Sequence, residues 1–326
     1  MVKPPSMGRG AAPVRSCLMG LALLLSASLP GAWALAAEPT RFCIAADNRG
    51  HPCFVNVAEK IKEVPGAPVQ FAVFSGDQDP ATVTRAQLDA VFGKAFPWYP
   101  AVGNHDVNPE HASEMAYYRQ LYEKQLAGKV SPGPAGTRET TYSFDAGDVH
   151  IVILNQHWNG KTEAGSDCTA DAGVVKPLRD WLRADLAASR KPWKLVVGHT
   201  PVFFRPDKDL GTARHGTNDT FLSEDWKAFW SVLEEQGVAA YICSHTHRYS
   251  HFQPPASKVW QIDVAQARGD STWQNDAFVI VTVTPQSLQF EVYRNLKKQG
   301  HFEVTDSLSL KAAGAQLPAA AAPAGK

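Results

Sequence analysis

A chain of 326 residues with 44% hydrophobic content is long enough to bury a sizeable core, as one large domain or two small ones. Lys+Arg and Asp+Glu balance at 32 each, which offers no basic surface for nucleic acid. No apolar run reaches the roughly 18 residues of a membrane span, so no stable membrane anchor is expected.

The first residues read as an address rather than as fold. Lys3, Arg9 and Arg15 form a basic start, Cys17 to Leu29 an apolar stretch, and Ala34-Leu35-Ala36 a small-x-small cleavage pattern. Residues 1–36 are therefore predicted to be a signal peptide, and the slightly acidic remainder to be periplasmic or secreted. Disulfides persist in such compartments. Of the cysteines left, Cys43 and Cys243 sit in apolar strands, while Cys53 and Cys168 sit in loop-like sequence and form the candidate bridge.

The domain expected over residues 38–310 opens with a buried strand, Arg41 to Ala46, closed by Asp47-Asn48-Arg49-Gly50. A helix over Phe54–Val64 follows, then a strand over Val69–Phe74 ending in Ser75-Gly76-Asp77-Gln78, and a helix over Thr84–Ala95. The apolar run Phe96–Ala101 ends in Val102-Gly103-Asn104-His105-Asp106. Glu110 to Leu126 carries Met115, Tyr118, Leu121 and Tyr122 at helical spacing, and Gly128 to Gly136 reads as an exposed loop. Thr141–Phe144 and Val149–Leu154 read as a hairpin, with His157 just beyond it at the edge of the expected site. Leu178, Trp181, Leu182 and Leu186 make one helical stripe. Lys194–Val197 is a strand ending in Gly198-His199-Thr200-Pro201, and Arg205–Thr220 a long polar loop. A second stripe, Trp226, Phe229, Trp230 and Leu233, precedes the strand Val238–Cys243, which ends in Ser244-His245-Thr246-His247. Strands are predicted over 259–264, 277–283 and 288–293, and an Ala/Pro-rich disordered tail over 311–326.

The polar clusters share one design: each follows an apolar strand, where open α/β sheets place their sites. Collected, they offer Asp47, Asp77, Asn104, His199, His245 and His247. Two carboxylates, an amide and three imidazoles suit a pair of borderline or hard divalent ions, and the absence of cysteine in these stretches argues against a structural zinc site. His105 is not needed as a ligand and is free to protonate a leaving alkoxide or to steady phosphoryl charge. His245 and His247 are alternate residues, so that segment must curl for both to reach one cluster.

This ordered set, with Gly76-Asp77, Gly103-Asn104-His105-Asp106, Gly198-His199 and His245-Thr246-His247, resembles the calcineurin-like metallophosphoesterase superfamily over roughly residues 41–295. Tyr142-Ser143-Phe144-Asp145 and Gly198-His199-Thr200-Pro201 resemble the branch that contains purple acid phosphatases. The resemblance implies an α/β (α+β) fold of two facing mixed β-sheets flanked by helices, a four-layer sandwich. It implies one metal on Asp47, Asp77 and His247, a second on Asp77, Asn104, His199 and His245, and His105 as acid or phosphate-binding group with Asp106 orienting it.

The sequence departs from that family at two positions. Arg49 stands where a ligand histidine is usual, and Pro80 where the purple acid phosphatases use tyrosine. The first metal site is therefore expected to be the weaker, completed by Asn48, His51, Asp79 or water. Arg49 itself has two readings, a catalytic grip on phosphate or a pair with Asp79 or Asp106. The function implied is an exported metal-dependent phosphoesterase acting on a small-molecule phosphate ester. It works through two divalent or mixed-valence ions (Fe, Mn or Zn) and a metal-activated hydroxide, with monoesters favoured. The alternatives are a metal- or phosphate-binding protein of the same fold without turnover, and a phosphodiesterase or nucleotidase.

Overall fold

The computed structural model describes residues 38–108, 112–163, 173–214, 220, 225–269, 275–296 and 300–312. Residues 1–36, Cys168, His215, Trp273 and residues 313–326 lie outside the described residues, and with them the leader, the proposed Cys53–Cys168 bridge and most of the predicted tail.

Strands that are apolar at every position imply burial on both faces, and the packing follows from this. In β1 (Thr40–Ala45), Phe42 and Ile44 face one cluster of side chains while Cys43 and Ala45 face another. β2 (Phe71–Ser75) repeats the alternation with Phe71 and Val73 against Ala72 and Phe74. In the other half of the molecule, β6 (Val149–Ile153), β7 (Trp193–Val197) and β8 (Ala240–Cys243) each send alternate residues to the same central cluster and the rest outward. The central cluster is thus the layer between two sheets, and the outer clusters lie under helices.

Among the described residues, one sheet runs β13-β12-β11-β1-β2-β3 and the other β4-β5-β6-β7-β8-β10-β9. The further strands are β3 (Trp98–Ala101), β4 (Ser131–Pro132), β5 (Tyr142–Ala146), β9 (Tyr249–Phe252), β10 (Trp260–Val264), β11 (Ala277–Val283), β12 (Ser287–Arg294) and β13 (Glu303–Lys311). β1, β2 and β3 are parallel, as are β6, β7, β8 and β10, while the outer pairings β1–β11 and β5–β6 are antiparallel, so both sheets are mixed. Helix α1 (Phe54–Glu63) lays Phe54, Val57, Ala58 and Ile61 onto the first sheet, joined by α2 (Ala81–Phe92) and α3 (Ala112–Leu121). Helices α4 (Lys176–Ala188) and α5 (Asp225–Glu235) cover the second with Leu178, Leu182, Leu186, Phe229 and Leu233. This is the four-layer sandwich expected from the sequence.

Several boundaries move. α2 begins three residues earlier than its apolar pattern suggested, directly after Pro80. The described part of the helix placed at Glu110–Leu126 changes at Tyr122 into one π turn, Tyr122–Leu126. β13 was not predicted. It is a polar edge strand whose Leu308 and Leu310 pack against the central layer, and Lys311, read as the start of the tail, is its last residue. The polar loop at 205–214 is fastened by Arg294, which is fully buried and grips Asp207 through both terminal nitrogens at 2.9 and 2.8 Å. No helix among the described residues is long and apolar enough to cross a membrane.

His150, on β6, ties the hairpin to α4. Its Nδ1 lies 2.7 Å from Asp145 and its Nε2 2.8 Å from Asp185, whose other oxygen accepts the Ser143 hydroxyl at 2.7 Å. Burial alone would lower the imidazole pKa, but the bonds to Asp185 and Asp145 outweigh it and raise it. This contribution to stability is complete below the ordinary histidine value of about 6.5 and is lost as pH rises through the raised folded value. The melting-temperature gap between the wild type and His150→Gln should therefore be widest near pH 5.5 and close toward pH 9. A gap that stays constant over that range contradicts the account.

Candidate metal centre

The C-terminal ends of the parallel strands of both sheets meet at one place. Asp47 follows β1, Asp77 follows β2, Asn104 and His105 follow β3, His199 follows β7, and His245 and His247 follow β8. All six expected donors are buried. Asp47, Asp77 and His199 bring one ligand atom each within 4.8 Å of one another. Asn104 joins through its Oδ1, 3.0 Å from His199 Nε2, and His245 through its Nδ1, 3.2 Å from the same nitrogen. His247 joins on the Asp47 side, with Nε2 3.0 Å from Asp47 Oδ1.

The backbone takes unusual shapes to achieve this. Asp47, Asp77, His245 and His247 all adopt left-handed φ, between 51° and 71°. Such conformations are costly for residues with a Cβ and persist where the surrounding structure over-determines them. For the His-x-His segment they supply the curl that lets alternate residues reach one pocket. Thr246 anchors that curl by donating its hydroxyl to the buried Asp263 at 2.6 Å.

His199 is oriented by its other nitrogen. Nδ1 stands 2.8 Å from the Ser75 carbonyl, an acceptor only, so Nδ1 carries a proton there and Nε2 faces the pocket. The Ser244 hydroxyl lies 3.0 Å from Nδ1 and donates to the same carbonyl. Gln156 Oε1 accepts the backbone N–H of both His199 and Thr200. Asp47 accepts the His245 N–H at 3.0 Å, a second tie between the two sheets.

Metal ligation needs charged carboxylates and neutral imidazoles, and here burial and the mutual influence of the two kinds of group act on one another. Burial works to raise the Asp47 carboxyl, but His247, His199 and His245 outweigh it and hold it well below the usual range. Asp77 is lowered in the same way, with His199 the main opposing influence to burial. Burial lowers His247, and it pushes His245 down to about 3 with help from His199. Asp47 Oδ1 is buried and unsatisfied, because His247 Nε2 approaches it without the alignment of a hydrogen bond. An oxygen and nitrogen donor set with an orphaned buried carboxylate oxygen fits a divalent cation.

The other expected residues divide. His105 stands beside the cluster, 24% exposed, its N–H donating to Asp77 Oδ1 at 3.0 Å and its ring Nε2 3.7 Å from Asp77 Oδ2. Asp106 is a correction. It was expected to orient His105, but its two oxygens accept the backbone N–H groups of Gly103, Asp77 and Gln78 at 2.7, 2.9 and 3.1 Å. It clamps the β2 and β3 loops together, a task no local spacing reveals. Arg49 takes the pairing reading, with Nε 2.5 Å from Asp79 Oδ1. Asn48 donates its amide N–H to Thr84 at 2.7 Å while its Oδ1 is buried without a hydrogen-bond partner among the described residues, and Asp79 pairs with Arg49 through Oδ1. Among the described tryptophans, Trp98, Trp158, Trp193 and Trp230 are buried.

A family model described as calcineurin-like phosphoesterase matches residues 40–249. The chain belongs to the calcineurin-like phosphoesterase family. Rabbit tartrate-resistant acid phosphatase type 5 is 24% identical over 254 residues, covering 72% of this chain and 75% of that one. The human enzyme of that name is 25% identical over 160 residues, 49% of this chain and 46% of that one, so the chain spans less than half the length of that relative. A solved structure of PhoD superposes with a TM-score of 0.56 at 13% identity, covering 87% of this chain and 71% of that one, which shows the shared fold.

Gly76 shows how tightly the centre is built. Its φ is +103°, and a Cβ there would run into the His199 imidazole. Gly76→Ala should lower unfolding free energy by about 1–3 kcal/mol in urea titration and weaken metal uptake. An alanine variant with unchanged midpoint and metal content contradicts this geometry.

Proposed function

We propose that this chain is an exported phosphoesterase that hydrolyses phosphate esters, monoesters ahead of diesters, with a dinuclear metal centre. The observation that carries the proposal is the convergence of six buried nitrogen and oxygen donors from five strand ends, with half-buried His105 beside them. The family and the acid phosphatase relatives support the same chemistry, and the leader-like residues 1–36 support export.

In this reading Asp47, Asp77 and His247 hold one ion, and Asp77, Asn104, His199 and His245 hold the other. Fe, Mn and Zn all suit these donors. Bound ions supply Lewis acidity, acidifying water and neutralising phosphoryl charge. The chain's own residues do the rest. Asp77 anchors the His105 backbone, which keeps the imidazole at the mouth of the pocket, where it delivers a proton to the leaving oxygen. Arg49, fixed by Asp79, adds positive charge that acts on Asp77 and His105. Asp106 is a positioning residue for both loops.

The test is hydrolysis of an aryl phosphate monoester and an aryl diester, with metal analysis of the same sample. Monoester turnover that a chelator abolishes and added metal restores is expected, with slower diester turnover. His105→Ala should keep its metal and lose about 10²–10⁴-fold in kcat. Metal-replete wild-type protein inactive on both substrates would leave a binding protein rather than an enzyme.

A further inference from the structure

A polar triplet, Asn155-Gln156-His157, follows β6 in the same manner as the donor clusters follow their strands. Gln156 serves the His199 backbone, and Asn155 Oδ1 accepts the His157 N–H at 3.0 Å, which fixes the turn. The His157 side chain then points where no structural duty explains it. It is 2% exposed, and among the described residues neither ring nitrogen has a hydrogen-bond partner. Its ring centroid lies 6.3 Å from that of His199 at 52°.

A buried imidazole with both nitrogens idle costs free energy that native structures rarely accept. Among the described residues nothing supplies that partner, which leaves the ring open to a bound group. An imidazole carries at least one ring N–H in either of its protonation states, so His157 has a hydrogen to donate. The contact with the His199 ring locates it beside the donor cluster. His157 stands outside the group whose donor atoms lie within 4.8 Å of one another, Asp47, Asp77 and His199. Its ring lies beside that of His199, so it is placed to meet a group held at the donors.

We propose that His157 donates a hydrogen bond to a non-bridging oxygen of the phosphoryl group, making it a further substrate-binding residue of the centre. The proposal rests on the phosphoesterase reading above and adds a specific contact to it. An N–H aimed at a phosphate oxygen is a charge-assisted hydrogen bond formed in a pocket that excludes water, where its worth is large.

Inorganic phosphate, the expected product, is the probe. Calorimetric titration of the metal-loaded protein with phosphate should give a dissociation constant at least about tenfold weaker for His157→Ala than for the wild type, with metal content equal in the two. His157→Gln keeps an N–H donor of similar reach and should recover part of the loss; it also serves if the alanine variant fails to fold. Loss of metal from either variant would make His157 a ligand and overturn the proposal. Unchanged phosphate affinity would overturn it too, leaving the phosphoesterase reading intact. Wild-type protein that takes up metal yet binds no phosphate would sink both.

Discussion

The site depends on the contact between His199 and the Ser75 carbonyl. It joins the end of β7 in one sheet to the end of β2 in the other, at 2.8 Å and with no solvent exposure on either residue. A carbonyl can only accept, so this one bond places a proton on His199 Nδ1 and aims the other nitrogen at Asn104, Asp77 and His245. The hydrogen bond from the His245 N–H to Asp47 repeats the tie one strand pair away. Two sheets that are each rigid in themselves thus meet at a seam lined with ligand atoms.

Holding that seam together carries a cost. Four donor-bearing residues sit in left-handed backbone, and several carboxylates and imidazoles are taken out of water with their charges close. The burial of whole apolar strands on both faces offsets this, since the strained donors lie in loops two to four residues beyond strand ends. Asp106 stabilises the arrangement by accepting three backbone N–H groups that would otherwise be buried without partners. Gly76 stabilises it differently, by leaving room for an imidazole where any side chain would intrude.

Much of this was legible in the chain alone, because a polar cluster after an apolar strand is a local pattern and the six donors each carry it. The facing sheets were legible for the same reason, since strands such as Val149–Ile153 carry apolar residues on both faces. What was not legible depends on contacts across long sequence separations. Asp106 reads as a neighbour of His105, yet its partners Asp77 and Gln78 lie in the preceding strand loop. Arg49 had two partners open to it, and only the fold brings Asp79 to its Nε. β13 escaped because an edge strand with alternate polar residues looks like linker. His157 carried the same strand-end signal as the ligands, but its lack of a hydrogen-bond partner among the described residues is a property of the packed pocket.

The central claim is that folding assembles a metal pair at this seam. Anomalous diffraction from crystals grown with manganese tests it directly. Two peaks within the pocket are predicted, one against Asp47 and His247 and one against Asn104, His199 and His245, both touching Asp77. An empty pocket in metal-saturated crystals, or peaks bound elsewhere on the molecule, would contradict the account.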